Sequence, residues 1–252
     1  MIFRRAALPL TRLALLAAFL LVWEILPRSG AIDRELVPPC SEVLRTLGTL
    51  LARPQLQADL VTTALEIAVA FAIAVPSGAA LGVLIAESSY LSRVFDPLLF
   101  FLFSIPKSVF LPMFILTLGI GFWQKVGFGC FSSTLLVLLS AQAAVRSVQP
   151  QHRLIARTYG ATPWQIIVRI YLPSMLPILL EAMRIAVIFT FTAVILAEMY
   201  ASRTGIGHQI ETWGENYMMP QLLAGVVLIA IAAIGMNEAV RWVEHRCGAW
   251  RV

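Results

Sequence analysis

The chain has 252 residues, of which 59% are hydrophobic and only 13% charged, with a mean hydropathy of +0.83 and a formal net charge of +5. A soluble domain carries about twice that share of charge, so the composition excludes a disordered chain, a disulfide-stapled secreted scaffold and an ordinary soluble enzyme. What remains is a polytopic membrane protein: a helical crossing needs about 20 apolar residues, so this length holds about six with short connections and no large soluble domain.

In chain order, apolar stretches predict spans over residues 8–26, 60–86, 97–120, 126–145, 175–201 and 222–240. The first follows Arg4 and Arg5 in the manner of a signal peptide. Pro27 and Arg28 interrupt the small-residue site at Ser29-Gly30-Ala31, so it reads as an uncleaved helix. In the next connection Ser41 can cap a helix with Val43, Leu44, Leu47, Leu50 and Leu51 on one face, which reads as lying in the membrane interface. The third and fourth spans are parted only by Gly119-Ile120-Gly121 and form an antiparallel hairpin. Gly205-Ile206-Gly207, after the fifth span, reads as a turn. With the N-terminus inside, eleven Lys and Arg fall on the inner side and six on the outer, Lys125 among the six. This bias places both termini in the cytoplasm. Cys40, Cys130 and Cys247 lie far apart in no metal-binding spacing and receive no function. No basic tract of nucleic-acid type is present.

The inner connection from residue 146 to 173 is the most structured. Pro150 opens a helix that runs to about Tyr159, and Gly160 fits the left-handed stop. Thr162 then reads as an N-cap, with Pro163 at the first helical position and Gln165 completing a capping box. A second short helix follows through Trp164, Ile167 and Ile170 to Pro173. The segment holds four arginines and His152 but no acid. Its charge suits lipid headgroups or a docked partner, and two capped helices favour docking.

Ionisable groups within spans are costly and therefore functional candidates. Lys107 follows Pro106, a helix breaker. It either lines a pathway and attracts an anion, or pairs with Glu66 or Glu198, or bonds freed carbonyls. Glu24 and Glu198, near outer ends of spans, read as structural. Four acids against two bases within the spans do not describe a cationic cradle. An ion relay through Glu198, Glu66 and Lys107 would make the chain a stand-alone secondary carrier driven by a gradient. An intramembrane enzyme is disfavoured, because His152, His208 and His245 all fall outside the spans.

Ala156-Arg157-Thr158-Tyr159-Gly160, a nine-residue spacer and Ile170-Tyr171-Leu172-Pro173 resemble the EAA loop of ABC importer permeases. Trp23-Glu24, Pro39-Cys40-Ser41-Glu42-Val43, Ser104-Ile105-Pro106-Lys107, Leu111-Pro112-Met113-Phe114-Ile115-Leu116, Ala197-Glu198-Met199-Tyr200 and Thr204-Gly205-Ile206-Gly207 resemble the nitrate/sulfonate/taurine branch. Two positions depart from the pattern: the motif glutamate falls at Leu154, and Glu66 stands where an arginine is usual. The resemblance implies an all-α membrane protein with six transmembrane helices in the type I, MetI-like permease fold, residues 1–252 forming one permease domain with an EAA-like coupling loop over 146–173. It implies a multi-pass protein of the bacterial inner membrane that moves a small solute, an anion such as nitrate, a sulfonate or taurine. Ala156, Arg157, Tyr159, Gly160, Ala161, Thr162 and Trp164 would couple the chain to cytoplasmic ABC ATPase subunits. Ser104, Lys107, Thr190 and Glu198 would line the translocation pathway. A second permease copy, forming a homodimer, and a periplasmic or lipid-anchored solute-binding protein would complete the assembly within membrane lipid. ATP and Mg would bind the ATPases; no catalytic residue, metal or cofactor is expected on this chain, which has no Walker-type loop.

Overall fold

The computed structural model describes residues 2–148 and 150–247. Among them every regular element is a helix: α1 Ile2–Arg28, α2 Cys40–Leu51, α3 Pro54–Glu87, α4 Ser89–Ser104, a 3-10 turn Lys107–Phe110, α5 Leu111–Leu118, α6 Phe122–Ser147, α7 Pro150–Thr158, α8 Pro163–Ile166, a π turn Ile167–Tyr171, α9 Leu172–Tyr200, α10 Ile206–Glu215 and α11 Met219–Cys247.

The centre is α6, packed between α3 and α9. Small residues allow the approach, as is usual where lipid supplies no hydrophobic drive between helices. A Cβ added at Gly78 of α3 would sit 2.8 Å from the Thr134 carbonyl oxygen, and one at Gly82 would sit 2.5 Å from that of Leu138. On the other side of α6, a Cβ at Gly129 would meet Val194 of α9 at 2.9 Å and Ala70 of α3 at 3.2 Å. Ala141 and Ala144 continue the seam, each fully buried.

The six-span expectation is met in part. Among the described residues four helices are long and apolar enough to cross a membrane: Pro54–Glu87, Phe122–Ser147, the continuous Pro163–Tyr200 and Met219–Trp242. A fifth crossing arises only if α4 and the segment Lys107–Leu118 are joined, and these are bent by 93°. The break follows from Pro106, which lacks a donor and forces Ile105 into extended backbone, ψ 131°. This segment begins at Ser89, so Pro97 lies inside a helix rather than opening one. The first stretch does form a 27-residue helix, α1. It is exposed from residue 11 to 22 and meets the rest of the chain near Trp23, whose Nε1 donates to the Pro38 carbonyl at 3.2 Å.

Two further expectations change. Pro173 does not end a second short helix; α8 runs on through the π turn into α9. The wider turn lets the Leu172 N–H reach back to the Ile167 carbonyl and absorbs the hydrogen bond that Pro173 cannot make. Secondly, α2 does not lie free in the interface. Val43, Leu47 and Leu50 pack against Ile206, Ile210 and Trp213 of α10 and Ala224 and Leu228 of α11, while Leu44 and Leu51 stay exposed.

Candidate functional site

The loop between α6 and α9 is built almost wholly by local bonds. Gly160 has φ +75°, a left-handed conformation that suits glycine. Its N–H donates to the Arg157 carbonyl at 3.0 Å, and the Ala161 N–H donates to that of Ala156 at 3.0 Å. These two bonds make a Schellman stop. The next helix starts at once: the Gln165 N–H donates to Thr162 Oγ1 at 3.3 Å, and the Thr162 N–H donates to Gln165 Oε1 at 2.8 Å. Pro163 occupies the first turn, where no donor is missed.

The loop has two faces. Ala156 and Ala161 pack inward on the cluster of Ala141, Ala144, Val145, Ile166, Tyr171 and Met175. Leu154, Tyr159 and Trp164 point outward and are 68%, 87% and 71% exposed. Arg157 reaches the end of α3, 3.5 Å from Glu87. Exposed aromatic and aliphatic groups on a rigid, basic knob make a surface suited to a partner.

At the opposite end of α9 lies a buried polar cluster. The first N–H groups of α10 have no partners within their own helix. Side chains from other helices take them: Gly205 N–H donates to Asp59 Oδ1 at 2.7 Å, Ile206 N–H to Thr63 Oγ1 at 3.0 Å and Gly207 N–H to Glu198 Oε2 at 2.8 Å. Thr63 Oγ1 in turn donates to Glu198 Oε1 at 2.6 Å, and Gln209 Nε2 donates to Asp59 Oδ2 at 2.8 Å. Glycine is required at both ends of this turn. A Cβ at Gly205, where φ is +104°, would collide with the Glu198 carboxylate, and one at Gly207 would sit 2.5 Å from the Ile195 carbonyl oxygen. Beside the cluster, Lys125 Nζ lies 2.6 Å from Glu66 Oε1, with both side chains buried.

Glu66 is thus partnered by Lys125, and Lys107 pairs with neither Glu66 nor Glu198. Glu198 holds the α9–α10 turn rather than a cavity wall. Lys125, counted on sequence as an outer-loop cation, is 2% exposed. Asp59, Thr63 and Lys125 were not singled out from sequence. The available signal was the spacing of Asp59, Thr63 and Glu66, at i, i+4 and i+7 on one face of an otherwise apolar helix.

A third feature is an open cavity of about 370 Å³ at the break between α4 and α5, lined also by α6 and α9. Ser104 and Lys107 line it together with Ser132, Phe103 and Phe189. Lys107 Nζ stands 4.4 Å from the Phe103 ring centre and 4.6 Å from that of Phe189. Thr190 is elsewhere: it is fully buried, with Oγ1 donating to the Ala186 carbonyl at 2.8 Å. Of the four pathway candidates, then, Ser104 and Lys107 share one cavity, and Thr190 and Glu198 lie outside it. No three His, Cys, Asp or Glu side chains gather as a metal site among the described residues.

Residues 78–246 match the family described as binding-protein-dependent transport system inner membrane component. The taurine transport system permease protein TauC of Escherichia coli is 29% identical over 241 residues, covering 93% of this chain and 87% of that protein. The formylaminopyrimidine transport permease protein ThiX of Halalkalibacterium halodurans is 25% identical over 232 residues, covering 92% of each. A solved bacterial ABC transporter that imports the acidic polysaccharide alginate has a chain of the same fold, with a TM-score of 0.67, 15% identity and 96% of each chain covered. The match spans two thirds of the sequence and includes the capped loop, the broken span and the α9–α10 turn, so the chain belongs to the inner-membrane components of binding-protein-dependent transport systems, the permeases of ABC importers.

Proposed function

We propose that this permease carries a small anion, delivered by a periplasmic or lipid-anchored binding protein, through a pore made with a second copy of itself. Both termini face the cytoplasm. Two cytoplasmic ATPases bind ATP and Mg and dock on the α7–α8 loop. Tyr159 and Trp164 present the docking face. Ala156, Arg157, Ala161 and Thr162 hold the loop's shape, and Gly160 is its hinge. Closure of the ATPases then pushes the loop, and α9 carries the movement to the cavity that holds Ser104 and Lys107.

One observation carries this reading. The helix begun at the Thr162 cap continues without interruption for 38 residues, from Pro163 to Tyr200. A push at the loop is therefore transmitted along a single rod, past the cavity, to the turn held by Glu198. A gradient-driven carrier finds less support, because Glu66 and Glu198 are committed to Lys125, Thr63 and the Gly207 N–H. Among the relatives, taurine bears a sulfonate, and the cationic cavity favours that kind of solute over a neutral pyrimidine.

The test is Gly160→Pro in the assembled transporter. Proline holds φ near −65° and cannot adopt the +75° of this hinge. ATP hydrolysis should persist while uptake falls by at least about tenfold, as when one positioned lever is lost. Normal uptake at normal expression would remove the loop from the coupling mechanism.

A further inference from the structure

Hydrogen-bond capacity in the cavity at the α4–α5 break is unevenly spent. Ser104 Oγ donates to the Phe100 carbonyl at 2.8 Å, and Thr192 Oγ1 donates to that of Ile188 at 2.9 Å. Both hydroxyls follow the habit of helical Ser and Thr, which bond back to their own backbone. Ser133 does the same, to Gly129 at 2.8 Å. Its neighbour Ser132 does not. Ser132 lines the cavity, is 2% exposed, and its Oγ has no hydrogen-bond partner. A buried hydroxyl without a partner destabilises the protein, so one left open at a cavity wall is a candidate ligand contact.

Lys107 is open in the same way. No carboxylate pairs with it among the described residues; Glu66, the nearest expectation from sequence, is taken by Lys125. The Phe103 and Phe189 rings attract its charge through their faces but accept no ordinary hydrogen bond. The ammonium therefore keeps donors to give. The same cavity is lined by a cation and an uncommitted hydroxyl, and it has room for roughly a dozen waters' worth of solute. Both groups are satisfied at once by a compact group that accepts hydrogen bonds and carries negative charge.

We infer that Lys107 and Ser132 together form a subsite for the oxyanion head of a small solute, with the Phe103 and Phe189 rings against its stem. The inference rests on the permease reading and goes beyond it in assigning the head group to two residues. Ser132 supplies the directional contact. The solute head occupies the place that a carboxylate side chain would take in an ordinary buried ion pair.

The test needs no knowledge of the natural solute. In the complete permease–ATPase complex, with Cys40, Cys130 and Cys247 replaced by serine, Ser132→Cys is treated with 2-sulfonatoethyl methanethiosulfonate. A parallel sample receives the trimethylammonioethyl analogue. Each reagent forms a mixed disulfide with the thiolate and releases methanesulfinate, and each rate is divided by its rate with a free thiol in solution. A lysine that lowers the thiol's pKa raises both rates alike, so the ratio reports attraction of the reagent. The subsite predicts that the sulfonate reacts about tenfold faster than the cation, the low end of what a charged cleft does to local concentration. Lys107→Met should bring the ratio to within about twofold of unity, and Lys107→Arg should preserve it. A ratio near unity with Lys107 present, a ratio unchanged by Lys107→Met, or no reaction with either reagent would each overturn the inference. ATPase co-purification and binding-protein-stimulated hydrolysis, measured on the same samples, test the permease reading separately.

Discussion

The two ends of the Pro163–Tyr200 rod are fastened in opposite ways. At the α7–α8 end the bonds are short in sequence: Gly160 to Arg157, Ala161 to Ala156, and Thr162 with Gln165. The knob they build holds its own shape and leaves Tyr159 and Trp164 exposed. At the α10 end the bonds cross the molecule, from Gly205 to Asp59 and from Thr63 to Glu198, and every one of those four side chains or amides is buried. The first end is shaped by local bonds and docks on the bundle through Ala156, Ala161 and Arg157, while the second is tied by buried bonds across the molecule. In the proposed mechanism, a rod pushed at one end and held at the other would turn that push into a tilt of α9.

The contrast can be broken most severely at the pivot. Lys125→Met leaves the buried Glu66 carboxyl without its partner. Losing one member of a buried pair costs about 3–5 kcal/mol, against near-neutral replacement of both. Lys125→Met should therefore lower the unfolding midpoint in detergent sharply, and adding Glu66→Leu should restore most of it. Equal losses in the single and double variants would mean that the pair is not what holds this end.

At the lever the expected effect is on binding, not stability. Trp164→Ala removes an exposed indole, so the permease should fold as before. If that side chain is a docking anchor, its loss costs at least about 2 kcal/mol, roughly a thirtyfold weaker ATPase complex. Titration of the ATPase onto nanodisc-held permease measures it. An unchanged affinity would move the docking face elsewhere.

The smallest effect sharpens the same comparison. Thr162→Ala removes one arm of the capping box and should cost about 1 kcal/mol of local stability. Because the loop's bonds are local, amide exchange should quicken around residues 162–166 and stay unchanged around 205–209. Quickening at both ends would contradict two independent fastenings.

The same contrast explains what the sequence could disclose. The stop at Gly160 and the start at Thr162-Pro163-Gln165 lie within six residues, and short-range chemistry specifies them completely. The resemblance to importer permeases rests on that stretch too. The pivot was opaque because its partners are distant: Lys125 sits in the first turn of α6, and hydropathy alone treats it as a loop cation, since its acid lies on another helix. Pro106 announced a kink but not a 93° turn, whose size depends on the helices packed around it. Pro173 suggested a helix end, and the π turn that accommodates it has no reliable local signature. Lys107 was legible as an ionisable residue in an apolar span, and Ser104 only through the resemblance. Ser132 was not, because an unspent hydroxyl is visible only once its neighbours are in place.

The most direct measurement is purification of the tagged chain from its native membrane in mild detergent, followed by ATP hydrolysis on the isolated complex. The account predicts a stoichiometric P-loop ATPase, hydrolysis stimulated by a companion binding protein carrying its solute, and loss of the ATPase from the Trp164→Ala variant. A chain that purifies alone, folded, and moves solute in proteoliposomes under an ion gradient without ATP would contradict it.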